Sequence, residues 1–107
     1  MNPYDKAREL KTAIELSQDY KKFNEAKEKL EEDKAASEMV EDFREKQFDL
    51  QRRQMLGEEL GQEEMDKVQE LYSILSMNKI AAEYLAAEFS YARLMQDISE
   101  ILAELME

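Results

Sequence analysis

The sequence contains no cysteine and no histidine among its 107 residues. Without cysteine the chain can form no disulfide, no thiolate nucleophile and no cysteine-held metal cluster. Without histidine it lacks the commonest general base and the commonest transition-metal ligand. Di-iron sites in helical bundles need a Glu-x-x-His motif on two helices, so this class of metal site is excluded as well.

Residues that interrupt helices are also scarce, since the chain has two glycines and one proline. Glu, Lys, Ala, Leu, Gln and Met dominate, and these are strong helix formers. The β-branched and aromatic runs that strands need are few. The composition therefore predicts an all-α fold, with one helical domain over residues 1–107 and a modest core.

Positive charge is in deficit, because 15 basic residues face 26 acidic ones and the formal net charge is −11. Nucleic-acid backbones are bound by clustered Lys and Arg, so this balance disfavours nucleic-acid binding. No uncharged apolar run approaches the ~18 residues that a membrane span needs. The first residues are polar and charged, unlike a secretory signal. We therefore expect a soluble cytoplasmic protein.

A long C-terminal helix is predicted from Asn78 to Glu107, and the preceding chain is interpreted as its cover. Residues seven apart form neighbouring apolar columns on this helix. The apolar arc is wider than the ~100° stripe that an ordinary surface helix buries, so we expect packing on more than one side. The columns are Ile80, Ala87, Leu94 and Ile101; Tyr84, Tyr91, Ile98 and Leu105; Ala81, Glu88, Met95 and Leu102; and Leu85, Ala92, Ser99 and Met106.

Capping residues mark the boundaries of the earlier helices. Asn2 and Ser17 can each begin a helix, and the pattern leaves open whether these two helices are separate or one bent helix. Asp33 can cap a third helix, which Gly57 ends. A fourth helix is predicted over 62–76, and a very short link joins it to the last. Short links favour antiparallel neighbours, so the sequence predicts an antiparallel bundle of four to five helices.

Helix three carries a row of residues spaced alternately three and four apart, as in a coiled coil. Gln47 and Gln54 belong to this row. They are interpreted either as a partly exposed edge or as polar residues that set the register of an interface. The row is Ala36, Val40, Phe43, Gln47, Leu50 and Gln54.

The two longest predicted helices exceed what one small globule can cover. Helix three would span roughly 34 Å and helix five roughly 42 Å, whereas a compact chain of this size has a radius of gyration of about 13 Å. We therefore expect a homodimer or higher homo-oligomer, with the C-terminal half of helix five and part of helix three at the interface. The candidate interface residues are Phe48, Met55, Tyr84, Phe89, Tyr91, Met95, Ile98, Leu102 and Leu105.

Carboxylates are the remaining candidates for chemistry. They cluster over 28–33 and 63–70, and Glu88 lies in an otherwise apolar column. Glu88 is interpreted as a rim charge or a salt-bridge partner, with a metal or acid–base role as the lesser alternative. No calcium loop, phosphate loop or activated nucleophile is recognisable. The sequence therefore predicts no catalytic, cofactor-binding or metal-binding residue, no cofactor and no enzymatic activity.

Helix three is the most basic element, through Arg44, Lys46, Arg52 and Arg53. The simplest interpretation is a solvated face that balances nearby acidic residues. The alternative is a docking patch for an acidic partner or RNA. No aromatic residues interleave with these charges as a base-stacking surface requires.

The order of these patterns resembles the YlbF/YmcA-like family of small helical bacterial proteins, and within it the YheA-type branch. The resemblance covers about residues 4 to 105. The matching stretches are Ser17–Phe23, Asp33–Phe43, Gln47–Gln51, Met55–Leu60 and Asn78–Glu88.

This resemblance implies an all-α cytoplasmic protein that self-associates, has no known catalytic activity and acts within a regulatory protein complex. Such complexes support competence, sporulation and biofilm formation and influence RNA processing. Some members contribute cysteines to iron–sulfur clusters, which this chain cannot do. The leading hypothesis is thus a non-enzymatic protein–protein interaction module with regulatory protein partners. The alternatives are a direct RNA-binding regulator that uses the basic part of helix three, or a structural homo-oligomer.

Overall fold

The computed structural model describes residues 1–107 and contains five α-helices and no strand. The all-α prediction and the long C-terminal helix are confirmed. The helices are α1 (Pro3–Glu15), α2 (Gln18–Glu32), α3 (Lys34–Met55), α4 (Gln62–Ser76) and α5 (Lys79–Ala103), and a 3₁₀ turn over Glu104–Met106 follows. None of these helices combines the length and the apolarity that crossing a membrane would require.

Side-chain caps begin the helices where the sequence predicts them. The Asn2 carboxamide oxygen accepts the Tyr4 N–H at 2.8 Å, and a carboxylate oxygen of Asp33 accepts the Ala36 N–H at 3.0 Å. Asn78 does the same for α5, through the N–H of the residue three positions on at 3.0 Å. Each cap satisfies a backbone donor that has no partner within its helix.

The first two helices are separate, which answers the question that the sequence leaves open. The Ser17 hydroxyl donates to the Ile14 carbonyl at 2.6 Å and also accepts the Tyr20 N–H at 3.2 Å. One side chain therefore closes α1 and opens α2. At the other end of the chain, the α-helix stops at Ala103 rather than at the predicted Glu107. The tighter 3₁₀ turn beyond it is a common ending, because the last carbonyls lack partners in an α-helix.

Gly57 ends α3 with a φ of 84°, a left-handed conformation that glycine adopts without a Cβ penalty. The Gly57 N–H donates to the Gln54 carbonyl at 3.0 Å, and the Glu58 N–H donates to the Arg53 carbonyl at 3.0 Å. These two bonds form a Schellman motif, which satisfies carbonyls at the end of the helix.

The chain divides into two compact units. A terminal unit comprises Met1–Glu28 with Tyr84–Glu107, and a central unit comprises Lys29–Glu83. Helices α2 and α5 each contribute to both units.

In the terminal unit, an aromatic cluster joins α2 to α5. The ring of Phe23 stacks on that of Tyr91, with centroids 5.2 Å apart and planes 4° apart. Phe23 also meets Tyr84 at 5.7 Å, and Tyr20 meets Tyr91 at 5.7 Å. Because the later residue of α2 also reaches the earlier residue of α5, these two segments run antiparallel.

In the central unit, α3 and α4 form an antiparallel helical hairpin. The rings of Phe43 and Tyr72 lie 5.8 Å apart. Closer to the loop that connects the two helices, Arg53 donates a hydrogen bond to Glu64. This pairing agrees with the antiparallel bundle that the sequence predicts. The buried residues of the unit are aliphatic apart from one phenylalanine: Leu30, Ala36, Val40, Phe43, Leu75 and Ala81.

Candidate interaction surfaces

The C-terminal end of α5 and the 3₁₀ turn after it expose a group of large apolar side chains, which we call the apolar tail. Tyr91, Leu94 and Ile98 are half-buried, but the residues that continue the arc are not covered. The expected packing on more than one side therefore does not extend to this end within a single chain. The apolar tail consists of Ile101, Leu102, Leu105 and Met106, which are 62%, 56%, 84% and 88% exposed.

A second exposed surface lies between α3 and α4 and carries no charge. It is a cavity of about 230 Å³, which we call the amide groove because four of its eight lining residues are glutamines. On α3, Phe48 directly follows Gln47 and Met55 directly follows Gln54. Both of these apolar side chains are also exposed. The groove is lined by Gln47, Leu50, Gln51, Gln54, Leu60, Met65, Val68 and Gln69.

The row of residues spaced three and four apart along α3 changes from buried to exposed at the amide groove. Ala36, Val40 and Phe43 are buried, whereas Gln47 and Gln54 are exposed. Within one chain the glutamines therefore form an exposed edge. Their role in setting the register of an interface stays a prediction.

A different cavity of about 350 Å³ between the same two helices contains an ion cluster centred on Arg53. Its guanidinium donates to the two carboxylate oxygens of Glu64 at 2.5 and 3.2 Å and to Glu58 at 3.0 Å. Asp49 lies 3.9 Å from it. The hydrogen bond from Arg53 is the main cause that lowers the pKa of Glu64, and the N–H of Gly61 also donates to that carboxylate at 3.3 Å.

The sequence placed Arg53 on a basic face and Glu64 in a carboxylate cluster without pairing them. Their link depends on the antiparallel hairpin, which brings residues 11 positions apart together across the loop. An arginine two residues before one helix end and a glutamate in the first turn of the next is the pattern that could have indicated the pair. The cluster joins the two helices.

The other carboxylates are not assembled into a metal site. No group of three or more residues in the structure is placed to hold a metal ion. In the 63–70 cluster, Asp66 accepts a hydrogen bond from Gln62 at 2.9 Å. Glu88 is half-buried and accepts the Tyr84 hydroxyl at 3.0 Å.

The basic residues of helix three are partly engaged within the chain. Arg52 donates to Asp49 at 2.9 Å, and Arg53 belongs to the ion cluster. Both arginines thus already face carboxylates, which leaves less uncompensated positive charge for a phosphate backbone.

The candidate interface residues fall into three groups. Tyr84 is 6% exposed and contacts Phe23, so it lies in the interior of its own chain and is not part of the exposed candidate surface. Tyr91 and Ile98 are half-buried, with Tyr91 committed to the aromatic cluster. The exposed candidates are Phe48, Met55, Phe89, Met95, Leu102 and Leu105.

Comparison with known proteins assigns the chain to a family. The family model described as "Control of competence regulator ComK, YlbF/YmcA" matches residues 4–107. The chain belongs to the YlbF/YmcA family. The resemblance expected from the sequence is thereby confirmed, and the family's description concerns regulation rather than catalysis.

Relatives of this YlbF/YmcA-family protein match along nearly its whole length. A UPF0342 protein of Caldicellulosiruptor bescii is 42% identical over 106 residues, covering 99% of this chain and 89% of the relative. A UPF0342 protein of Desulfitobacterium hafniense is 36% identical over 104 residues, covering 97% and 84%. A solved structure, "Protein of Unknown Function (DUF964) from Bacillus stearothermophilus", has a TM-score of 0.82 at 23% identity and covers 96% of this chain and 90% of its own. That last likeness concerns the fold alone.

Proposed function

We propose that this YlbF/YmcA-family protein is a non-enzymatic regulatory module of the cytoplasm that acts by binding other proteins. The observation that carries the proposal is the apolar tail, four large apolar side chains exposed together at one helix end. Contiguous exposed apolar surface is typical of interaction sites. The family description, which names control of a competence regulator, supports a regulatory role.

The same surface supports self-association as part of this function. Helix α5 has 25 residues and is therefore ~38 Å long. Its final turns expose large apolar side chains that a second copy can cover. We place the C-terminal half of α5 and the second half of α3 at the contact between copies.

Affinity capture from native cytosol tests the regulatory role. The full chain serves as bait after nuclease treatment and a moderate-salt wash, and mass spectrometry quantifies what is retained. We expect family relatives or regulatory proteins in amounts close to that of the bait. Recovery of the bait alone would remove the regulatory role and leave a structural homo-oligomer.

A matched pair of baits makes the capture specific to the apolar tail. Leu105→Ser with Met106→Ser makes the tail polar, whereas Leu16→Ser with Met77→Ser removes two large apolar side chains that are 65% and 87% exposed elsewhere. We expect the tail variant to lose the partners and the control to keep them. Partners that disappear only on nuclease treatment would favour the RNA-binding alternative, whose affinity should also fall steeply with salt.

A further inference from the structure

We propose that oxidation of Met106 to methionine sulfoxide weakens the association that the apolar tail mediates. This inference rests on the self-association proposed above and adds its regulation through one thioether. Met106 is one of the four exposed side chains of the tail, so a protein surface that covers the tail removes it from water. The oxidation state of its sulfur therefore acts directly on the contact.

Methionine occupies an unusual place in this structure. Met is among the residue types most often found fully buried, yet none of the seven methionines of this chain is buried. Met39 is half-buried, and the other six are exposed. The core is thus built without methionine, and the thioethers lie at the surface. The exposed methionines after Met1 are Met55, Met65, Met77, Met95 and Met106.

These thioethers are the only sulfur atoms of the chain, since it has no cysteine. A thioether lone pair attacks one oxygen of hydrogen peroxide, the O–O bond breaks, and the proton of the attacked oxygen passes to the other oxygen, which leaves as water. The sulfur is oxidised by two electrons and the peroxide is reduced. Methionine sulfoxide reductases reverse the change, with a thiol as the reductant. The tail therefore carries a reversible oxidation site.

The sulfoxide disfavours the bound state in particular. Oxidation converts a flexible apolar side chain into a polar one, and burial of a polar group without a hydrogen-bond partner is unfavourable. The other members of the tail, Ile101, Leu102 and Leu105, have no side-chain donor for the new oxygen. In the free chain Met106 is exposed, so water solvates the sulfoxide there. The whole penalty consequently falls on association.

The chain offers a matched control for this chemistry. Met77 follows α4 and is 87% exposed, against 88% for Met106. Because exposure controls how readily a peroxide reaches the sulfur, the two residues should oxidise at similar rates. Only Met106 belongs to the tail.

Two variants separate these residues. Met55→Leu with Met77→Leu retains Met106, whereas Met55→Leu with Met106→Leu retains Met77. Leucine keeps an apolar side chain of similar volume and forms no sulfoxide. Both full-length variants are treated with dilute hydrogen peroxide. Peptide mapping by mass spectrometry then verifies one added oxygen at the retained residue and an unchanged Met39, and circular dichroism checks that helicity is preserved.

Sedimentation equilibrium before and after oxidation gives the measurement. We expect a roughly tenfold or greater loss of self-affinity for the variant that retains Met106, and no loss for the variant that retains Met77. Treatment with methionine sulfoxide reductases for both sulfoxide epimers should restore the original affinity.

Equal responses of the two variants would overturn the proposal. So would an unchanged affinity after complete oxidation of Met106, which would show that the exposed methionines only consume oxidant. A chain that is monomeric before oxidation would also refute it, because no self-association would exist for the sulfoxide to weaken. If such a monomer still captures regulatory proteins, the proposed regulatory role stands without this switch.

Discussion

The guanidinium of Arg53 and the carboxylate of Glu64 form a two-point hydrogen-bonded ion pair across the loop between α3 and α4. The backbone carbonyl of Arg53 also accepts the N–H of Glu58, whose side chain accepts a further hydrogen bond from the guanidinium. One arginine thus ends its own helix, binds the loop and binds the first turn of the next helix. Arg53 therefore connects all three segments of the central hairpin.

Substitution of this arginine should destabilise the central unit. Arg53→Gln removes the charge-assisted hydrogen bonds to Glu58 and Glu64, and paired Arg–carboxylate bonds are stronger than neutral ones. We expect a lower midpoint in urea unfolding monitored by circular dichroism. Arg52→Gln is the control, because that exposed side chain pairs with Asp49 alone. Equal effects of the two substitutions would show that the ion cluster has no special structural role.

The lowered pKa of Glu64 predicts a specific dependence of stability on pH. A carboxylate with a folded-state pKa below its usual 4.5 stabilises the fold above about pH 4.5 and loses this contribution as pH falls through the folded-state pKa. The free energy of unfolding should therefore decline on acidification below about pH 4.5 more steeply in the wild type than in Glu64→Gln. Glu63→Gln, in the same helical turn, is the matched control for the loss of one carboxylate. A Glu64→Gln slope equal to that of the wild type would contradict this assignment.

The two glycines of the loop should respond differently to alanine. Gly57 has a φ of 84°, and no atom beyond the glycine and its two chain neighbours lies within 4 Å of where a Cβ would be. The substitution Gly57→Ala therefore costs backbone strain alone, about 1–2 kcal/mol of unfolding free energy. Gly61 has an ordinary φ of −72° and equally open surroundings, so Gly61→Ala should change stability little. Urea unfolding of both variants measures the difference, and a neutral Gly57→Ala would mean that the helix end can relax.

The aromatic cluster of the terminal unit should depend on Phe23. Phe23→Leu keeps an apolar side chain but removes the ring contacts with Tyr84 and Tyr91, which should cost about 1–2 kcal/mol. The chain has no tryptophan, so its near-ultraviolet circular dichroism comes mainly from tyrosine, and this signal should weaken as well. Tyr4→Leu is the control, since Tyr4 is 74% exposed. Unchanged stability and tyrosine signal in Phe23→Leu would contradict the stacked geometry.

Helix boundaries could be predicted because they depend on local chemistry. Asn2, Ser17, Asp33 and Asn78 hold their caps through hydrogen bonds to residues no more than three positions away. Gly57 likewise ends α3 by its own φ. Each of these interactions is encoded within a few residues, so the sequence by itself determined the caps of these four helices, whereas only the structure showed that the Ser17 cap separates α1 from α2.

Tertiary structure decided which residues of a predicted apolar face are covered. Tyr84 and Leu105 occupy the same column of the predicted C-terminal helix, yet the first is 6% exposed and the second 84%. Helical periodicity predicts the same burial for both residues. Their actual burial depends on which other segments of the chain pack beside each turn of the helix. The pairing of Arg53 with Glu64 and the uncharged groove have the same origin. Both arise where α3 and α4 meet, and the distances between side chains there are set by the packing of two helices and by no local pattern within either one.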